Sequence, residues 1–307
     1  MRAAGGRGAG LFRMVGHVWR HPSNEGRRLR QLGQAVRFQV RARALGRPTV
    51  VALGDRSVVE ARLRSAASVQ VAFANPPDLG PWLVWQRHLR AGALFVDVGA
   101  NVGTYSVLAG ELGARVVAFE PDASNADFLR SNLRLNGLEA QIHVAALADR
   151  EGSMAFTSGL DSMNRLLPGG GSARSVPVMT IDTCFPLDEI AGVKVDVEGA
   201  EGLVLRGAQQ ALAAGRIGLL QLEWNLMSRV EFGEGRDVVA TLLRGHGYSL
   251  YRPDADGCLV PDAGDERADD VFAARPETVA AVNGSPGPTG PGTRRPLRGR
   301  RPRTRLS

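Results

Sequence analysis

Two rhythms of apolar and polar positions run along this chain, and they change near Ala93. Between Gly26 and Leu45 the apolar residues Leu29, Leu32, Val36 and Val40 recur close to helical spacing, set among Arg27, Arg28, Arg30, Arg37, Arg41 and Arg43. That pattern predicts an amphipathic basic helix. "PTVVALG" and "SVVEARL" follow, two β-rich runs around Gly54 and Asp55, which predict a hairpin. From Ala93 short apolar runs alternate with longer helical periods. "ALFVDVG" reads as a strand, "TYSVLAGELG" as a helix stopped by Gly113, and "RVVAFE" as a strand. "DASNADFLRSNLRLNG" reads as a helix capped by Asp122 with Gly137 just past its end. "QIHVAALAD", "IAGVKVDVEGAE", "IGLLQLEWN", "YSLYR" and "DDVFAAR" supply further strands, with helices over "GAEGLVLRGAQQALAAG" and "GRDVVATLLRGHG". Strands alternating with helices predict an α/β fold on a parallel sheet.

Charge changes the picture at the ends. Residues 1–47 hold eleven Arg against the single acid Glu25, and residues 283–307 hold seven Arg and no acid. With a net charge of +7, the middle is left at about −10. The last segment, "NGSPGPTGPGTRRPLRGRRPRTRLS", has almost no large apolar residue, so disorder is expected there. Three parts are therefore expected: a basic helix and hairpin over 1–80, a catalytic domain over 81–282 and an Arg/Pro/Gly tail over 283–307. The Arg-rich ends admit weak contact with a membrane surface or nucleic acid. A run of 37 Arg beside the one lysine, Lys194, also fits a bias in coding. No apolar stretch is long enough to span a bilayer, and no cleavage signal follows Leu11–Trp19. A cytoplasmic location is expected. Cys184 and Cys258 are too far apart in sequence for a close-spaced metal or disulfide pattern.

The candidate chemistry starts in "FVDVGANVGTYSVLAG". In an open parallel sheet, ligands bind at the carboxyl ends of the strands, and the loop after the first strand lies there. Gly99 and Gly103 suggest a loop that brings backbone close to a ligand. The spacing Gly99-Ala100-Asn101-Val102-Gly103 is a poor dinucleotide fingerprint and lacks a P-loop lysine. What remains is an acid, Asp97, at one strand end and a second, Glu120, at the next. That pair suits S-adenosylmethionine, a sulfonium nucleoside with no phosphate. Further along, Asp196, Glu198 and Glu201 follow the apolar strand of "VKVDVEGAE", and alternation places Asp196 and Glu198 on one face. Asp196, Glu198 and Glu223 are candidates for removing a proton from an acceptor. Pairing of Lys194 with one of these acids and capping by Glu201 are the structural alternatives. No metal site is expected. Asp161, Ser162 and Asn164 are either contacts or a polar turn.

Together "VDVGANVGTYSVLA", "VVAFEPDASN", "ALADREG" and "VKVDVEGAEGLVLRGA" resemble the FkbM-type S-adenosylmethionine-dependent methyltransferases, over roughly residues 94–224. The resemblance implies a class I, Rossmann-like fold: a doubly wound, mostly parallel seven-stranded sheet. It implies that Asp97, Gly99, Ala100, Asn101 and Gly103 form the cofactor loop and that Glu120 takes the ribose; Pro121 and Tyr105 are further candidates for the pocket wall, with a core aromatic on the helix face the alternative for Tyr105. It also implies methylation of a hydroxyl on a sugar, glycan or secondary metabolite. Alternatives are a nucleic-acid-binding protein or RNA methyltransferase using the basic ends, or a non-catalytic binding protein on the same fold.

Overall fold

The computed structural model describes residues 14–63, 65–157, 165–167, 174–223, 235–262, 264 and 270–286. Asp161, Ser162, Asn164 and most of the Arg-rich tail lie outside them. The predicted basic helix occupies Arg28–Leu45 and ends at Gly46 in the left-handed region, φ 60°. The hairpin follows as β1 (Thr49–Leu53) and β2 (Ser57–Ala61), and helices Ala66–Phe73 and Leu79–His88 lead into the main domain.

There the strands are β3 (Leu94–Val98), β4 (Arg115–Phe119), β5 (Ala140–His143), β6 (Ala146–Leu147), β7 (Gly152–Phe156), β8 (Leu166–Leu167), β9 (Arg174–Met179), β10 (Ile190–Val195), β11 (Ile217–Glu223), β12 (Ser249–Pro253), β13 (Leu259–Pro261) and β14 (Asp270–Ala274). The main sheet has the order β13-β12-β14-β11-β10-β3-β4-β5. Its five strands from β5 to β11 are parallel, and the three at the other edge are antiparallel. The expected count of seven is thus corrected to eight, because β13 adds a short edge strand to β12. β3 is buried along its whole length, which is why its sequence is a continuous apolar run instead of an alternating one.

The chain builds outward from β3 to β4 and β5, then returns to lay β10 on the other side of β3. The order reverses between β3 and β10, so a crevice opens there beyond the carboxyl ends. One core packs Trp85, Phe95, Leu108, Leu129 and Phe272 on one face of the sheet. A second packs Val96, Val195, Leu205, Leu220 and Leu243 on the other. Gly192 is needed where Trp85 crosses β10, since a Cβ there would enter the indole ring.

Two expected elements break. The predicted strand "QIHVAALAD" splits: β5 stays in the main sheet, while β6 pairs with β9 in a separate four-stranded sheet of order β6-β9-β7-β8. The helix expected over "GAEGLVLRGAQQALAAG" becomes Glu201–Arg206 and Gln209–Ala213. Between them Gly207 lies so close to the Ala148 carbonyl oxygen that a side chain would collide with it. Among the described residues, no helix is long and apolar enough to cross a membrane.

Candidate active site

The crevice holds a cavity of about 230 Å³, with Asp97, Gly99, Ala100, Asn101, Tyr105, Glu120, Pro121, Asp196, Glu198 and Glu223 all on its walls. Gly103 is not among its lining residues. The parallel ladder explains the convergence, because β3 pairs with both β4 and β10 in register and so brings three strand ends side by side.

At the β3 end, Asp97 is buried and accepts a hydrogen bond of 2.6 Å from Ser106 Oγ. Burial pushes its carboxyl up, and the Lys194 ammonium partly opposes the shift. Beyond β4, Glu120 accepts one backbone N–H on each oxygen, from Asn101 and from Asp122, both at 2.7 Å. Burial nevertheless lifts its pKa to about 7. Each Glu120 oxygen keeps a second lone pair for a ligand. Asn101 stands in the left-handed region at φ 50°, and its buried side-chain oxygen has no hydrogen-bond partner.

The glycines act differently from the expectation. Gly99 (φ 77°) and Gly103 (φ 85°) do need left-handed backbone, yet the space left by their missing side chains is filled by protein. A Cβ on Gly99 would collide with the Asp196 carbonyl oxygen, and one on Gly103 with the Leu129 side chain. Gly99 therefore lets the loop pack onto the end of β10. Gly103 lets it pack onto the following helix, Ala123–Leu135.

At the β10 and β11 ends, Lys194 Nζ donates to Asp196 Oδ2 at 2.6 Å and lies 4.7 Å from the centre of the Tyr105 ring. Lys194 is buried, which by itself would lower its pKa, but Asp196 and Asp97 raise it well above the usual lysine value. For Asp196, burial pushes up while Lys194 pulls down, and the carboxyl ends below its ordinary value. Burial and the Asp196 charge push Glu223 up to about 10, so at neutral pH it carries a proton and Asp196 the charge. Asp196 and Glu198 were expected to alternate along one strand, but β10 stops at Val195 and Glu198 turns through φ 54°. The two still meet: Asp196, Glu198 and Glu223 offer carboxylate oxygens within 4.8 Å of one another. Glu201 accepts from the Gly199 N–H at 3.0 Å, ahead of the helix Glu201–Arg206, whose N-cap Ala200 has no side-chain cap, and burial raises Glu201 to about 7. His143 stacks on Phe119 with centroids 4.7 Å apart.

Three side chains escaped the sequence reading. Gln221 donates to Asp270 Oδ1 at 2.8 Å and to the Tyr105 hydroxyl at 3.3 Å, while accepting from Trp85 Nε1 at 2.5 Å. Tyr105 in turn donates to Asp78 Oδ2 at 3.4 Å. Asp78 lines the cleft, together with Ala67 and Gln70, from the segment ahead of β3. Burial raises Asp78, and raises Asp270 to about 7. For Gln221 alone there was a local signal, polarity inside the apolar "LLQLEW".

A family model for the methyltransferase FkbM domain matches residues 97–250, half of the chain. No curated protein sequence matches. Several solved structures match at low similarity. The precorrin-6y C5,15-methyltransferase of Geobacter metallireducens GS-15 is 12% identical over 64% of this chain and 86% of its own, with a TM-score of 0.37. The tRNA (uracil-54, C5)-methyltransferase of Pyrococcus abyssi, in complex with S-adenosyl-L-homocysteine, is 18% identical over 74% and 43%, with a TM-score of 0.41. The magnesium protoporphyrin IX methyltransferase of Synechocystis PCC 6803 with bound SAM is 14% identical over 64% and 76%, with a TM-score of 0.37.

Proposed function

Because the chain belongs to the methyltransferase FkbM domain family, we propose that it is an S-adenosylmethionine-dependent O-methyltransferase acting on a hydroxyl of a sugar, glycan or secondary metabolite. The residues present suit that cofactor. Among the described residues, the cleft presents Asp78, Asp97, Glu120, Asp196, Glu198 and Glu223 against the single cation Lys194, an environment that favours a positive ligand over a polyphosphate. Asp97, Glu120 and the unpartnered Asn101 oxygen are the groups that would hold it, with Ala100, Tyr105 and Pro121 completing the wall. When bound, the cofactor supplies an electrophilic methyl on a sulfonium with a good leaving group.

The protein's share is alignment and proton transfer. Holding the acceptor oxygen in line with the methyl carbon lowers the barrier by converting an encounter into an intramolecular step. A hydroxyl acceptor also loses a proton as its new bond forms, and a carboxylate within hydrogen-bond reach takes it. Asp196 is the group for that role, since it is the ionised member of the Asp196–Glu223 pair. Lys194 fixes its direction at the cost of some basicity. Glu198 and protonated Glu223 orient the acceptor hydroxyl. The cytoplasmic location expected from the sequence belongs to the same proposal.

The observation that carries this reading is the convergence of Asp97, Glu120, Asp196 and Glu223 on one cavity at the reversal of strand order. Calorimetric titration with S-adenosylmethionine tests it. Saturable binding is expected in the parent chain, weaker by roughly tenfold or more in Glu120→Ala, as loss of a charged hydrogen-bond acceptor implies. Absence of binding in the parent refutes it. Transfer of a labelled methyl group to a panel of glycosides and hydroxylated metabolites, with tRNA as a further member, tests the acceptor class. Asp196→Asn should lower turnover on any acceptor found while leaving cofactor affinity unchanged. Methylation of the RNA alone overturns the hydroxyl-metabolite assignment.

A further inference from the structure

The basic helix Arg28–Leu45 uses only one side to pack. Gln31, Ala35, Phe38 and Ala42 are buried against the protein, at i, i+4, i+7 and i+11. Leu29, Gly33, Val36 and Val40 repeat the same spacing on the opposite side, where Leu29 is 76% exposed, Val36 42% and Val40 59%. Apolar side chains this exposed, in line along about three turns, are unusual unless something covers them. Trp19, 46% exposed, extends the ridge beyond the helix N-terminus, with the Arg28 guanidinium 5.6 Å from its ring centre. Val50 on β1 extends it sideways, 44% exposed, where Arg37 donates to its carbonyl at 3.1 Å.

Charge says what the ridge faces. From Arg27 to Arg47 there are seven Arg and no acid or lysine. Arg30, Arg37 and Arg41 flank the ridge on one side, Arg28 and Arg43 on the other, and all five are exposed. We propose that this face is a docking surface for a membrane carrying anionic lipids, with the ridge entering the headgroup boundary and the arginines meeting the lipid phosphates. An apolar ridge with a tryptophan at one end and arginines along both flanks has the pattern of an interfacial helix. A nucleic acid would use the arginines but leave Leu29, Val36 and Val40 facing water. A second copy would bring seven like charges to each side of a two-fold contact. The packed side of the same helix is tied to the cleft wall: Gln31 Nε2 donates to the carbonyls of Val71 and Ala72 at 3.2 and 3.0 Å. Helix Ala66–Phe73, which holds those carbonyls, lines the cavity through Ala67 and Gln70.

The test is cosedimentation of the full chain with vesicles of phosphatidylcholine alone, and with about 30% phosphatidylglycerol, at about 0.15 M salt. Binding to the anionic vesicles and little to the neutral ones is expected. The triple variant Leu29→Ser, Val36→Ser, Val40→Ser should bind roughly tenfold more weakly, from lost apolar insertion. Arg30→Ser with Arg41→Ser should fall by a similar factor. These side chains are exposed, so both variants should keep the parent melting temperature; if the triple variant does not fold, Val40→Ser alone carries the comparison at a smaller decrement. Failure of the parent to bind anionic vesicles overturns the proposal. So does full binding by a folded triple variant, which would leave charge alone responsible, the arginines of residues 294–305 included. A dimer in sedimentation velocity that the triple variant abolishes makes a second copy the occupant. Binding of single-stranded RNA without vesicle binding makes it nucleic acid. None of these readouts depends on the methyl donor, so loss of cofactor binding in the parent would refute the function proposed above and leave this result standing.

Discussion

Gly99 and Asp270 carry the sharpest consequences at the scale of single residues. Gly99 combines φ 77° with an Asp196 carbonyl where its side chain would be, so even Gly99→Ala requires β10 or the loop to move. A loss of about 3 kcal/mol or more in urea unfolding is expected, and a loss under about 1 kcal/mol would mean that the loop relaxes freely. Asp270 carries a pH signature. Burial lifts it to about 7, although Gln221 donates to it and pulls the other way, whereas in an unfolded chain it titrates near 3.9. Between those values the folded state holds the extra proton. The stabilisation is therefore complete below about pH 4 and is lost as pH rises through about 7. Glu120 and Glu201 add shifts of the same sign. The melting temperature should fall from about pH 5 to about pH 8, and by less in Asp270→Asn. Equal slopes in scanning fluorimetry would refute the assignment. Asp97 and Glu120 were legible before the structure because each ends an apolar run. Asp78, Gln221 and Asp270 were not, since their partners lie 27 to 136 positions away in the chain.

Among the elements, the helix Ala123–Leu135 shows how a correct local reading stays incomplete. Asp122 caps it as predicted, accepting from the N–H groups of Ser124 and Asn125 at 2.8 and 3.2 Å, and Gly137 follows its end at φ 64°. Asn136, the residue that follows Leu135, clamps the hairpin. Its oxygen accepts from the Val58 N–H at 2.8 Å and its amide donates to the Val58 carbonyl at 2.7 Å. Asn132 does the same work one turn earlier, accepting from the Glu60 N–H at 2.9 Å. These amides satisfy one edge of β2, which has no strand on that side. Asn136→Ala should cost about 1–3 kcal/mol through two unmet backbone groups and speed amide exchange at Val58. Unchanged exchange would show that the clamp is dispensable. The rhythm of the chain located β3, β4, β10 and β11 because both faces of those strands are covered, leaving near-continuous apolar runs. It joined β5 to β6 because Val144 and Ala145, which separate the two sheets, are themselves apolar and leave no glycine or proline to mark the boundary.

For the whole molecule, the family match begins at residue 97, but the folding unit begins earlier. Trp85 is fully buried, packs edge-on against Phe95 with ring centres 5.0 Å apart, and contacts Phe272 at 5.9 Å. A fragment starting at Leu94 exposes that core and loses the Asp78 wall. It should lack a cooperative thermal transition, in contrast to the full chain; a sharp transition in the fragment would make the preceding segment an appendage. Charge at this scale was readable from composition, since the arginines gather toward the two ends of the sequence. Of the second sheet, "SMAFT" and "SVPVMT" read as short β-like pieces and are β7 and β9, but their assembly with β6 and β8 was not readable, because the pieces are short and lie within a glycine-rich stretch. The contact between Gly99 and the Asp196 carbonyl joins the two halves of the crevice mechanically. A ligand that shifts the β3 loop by even an ångström must push the carboxylate-bearing turn with it, so occupancy on one side is reported to the other through bare backbone.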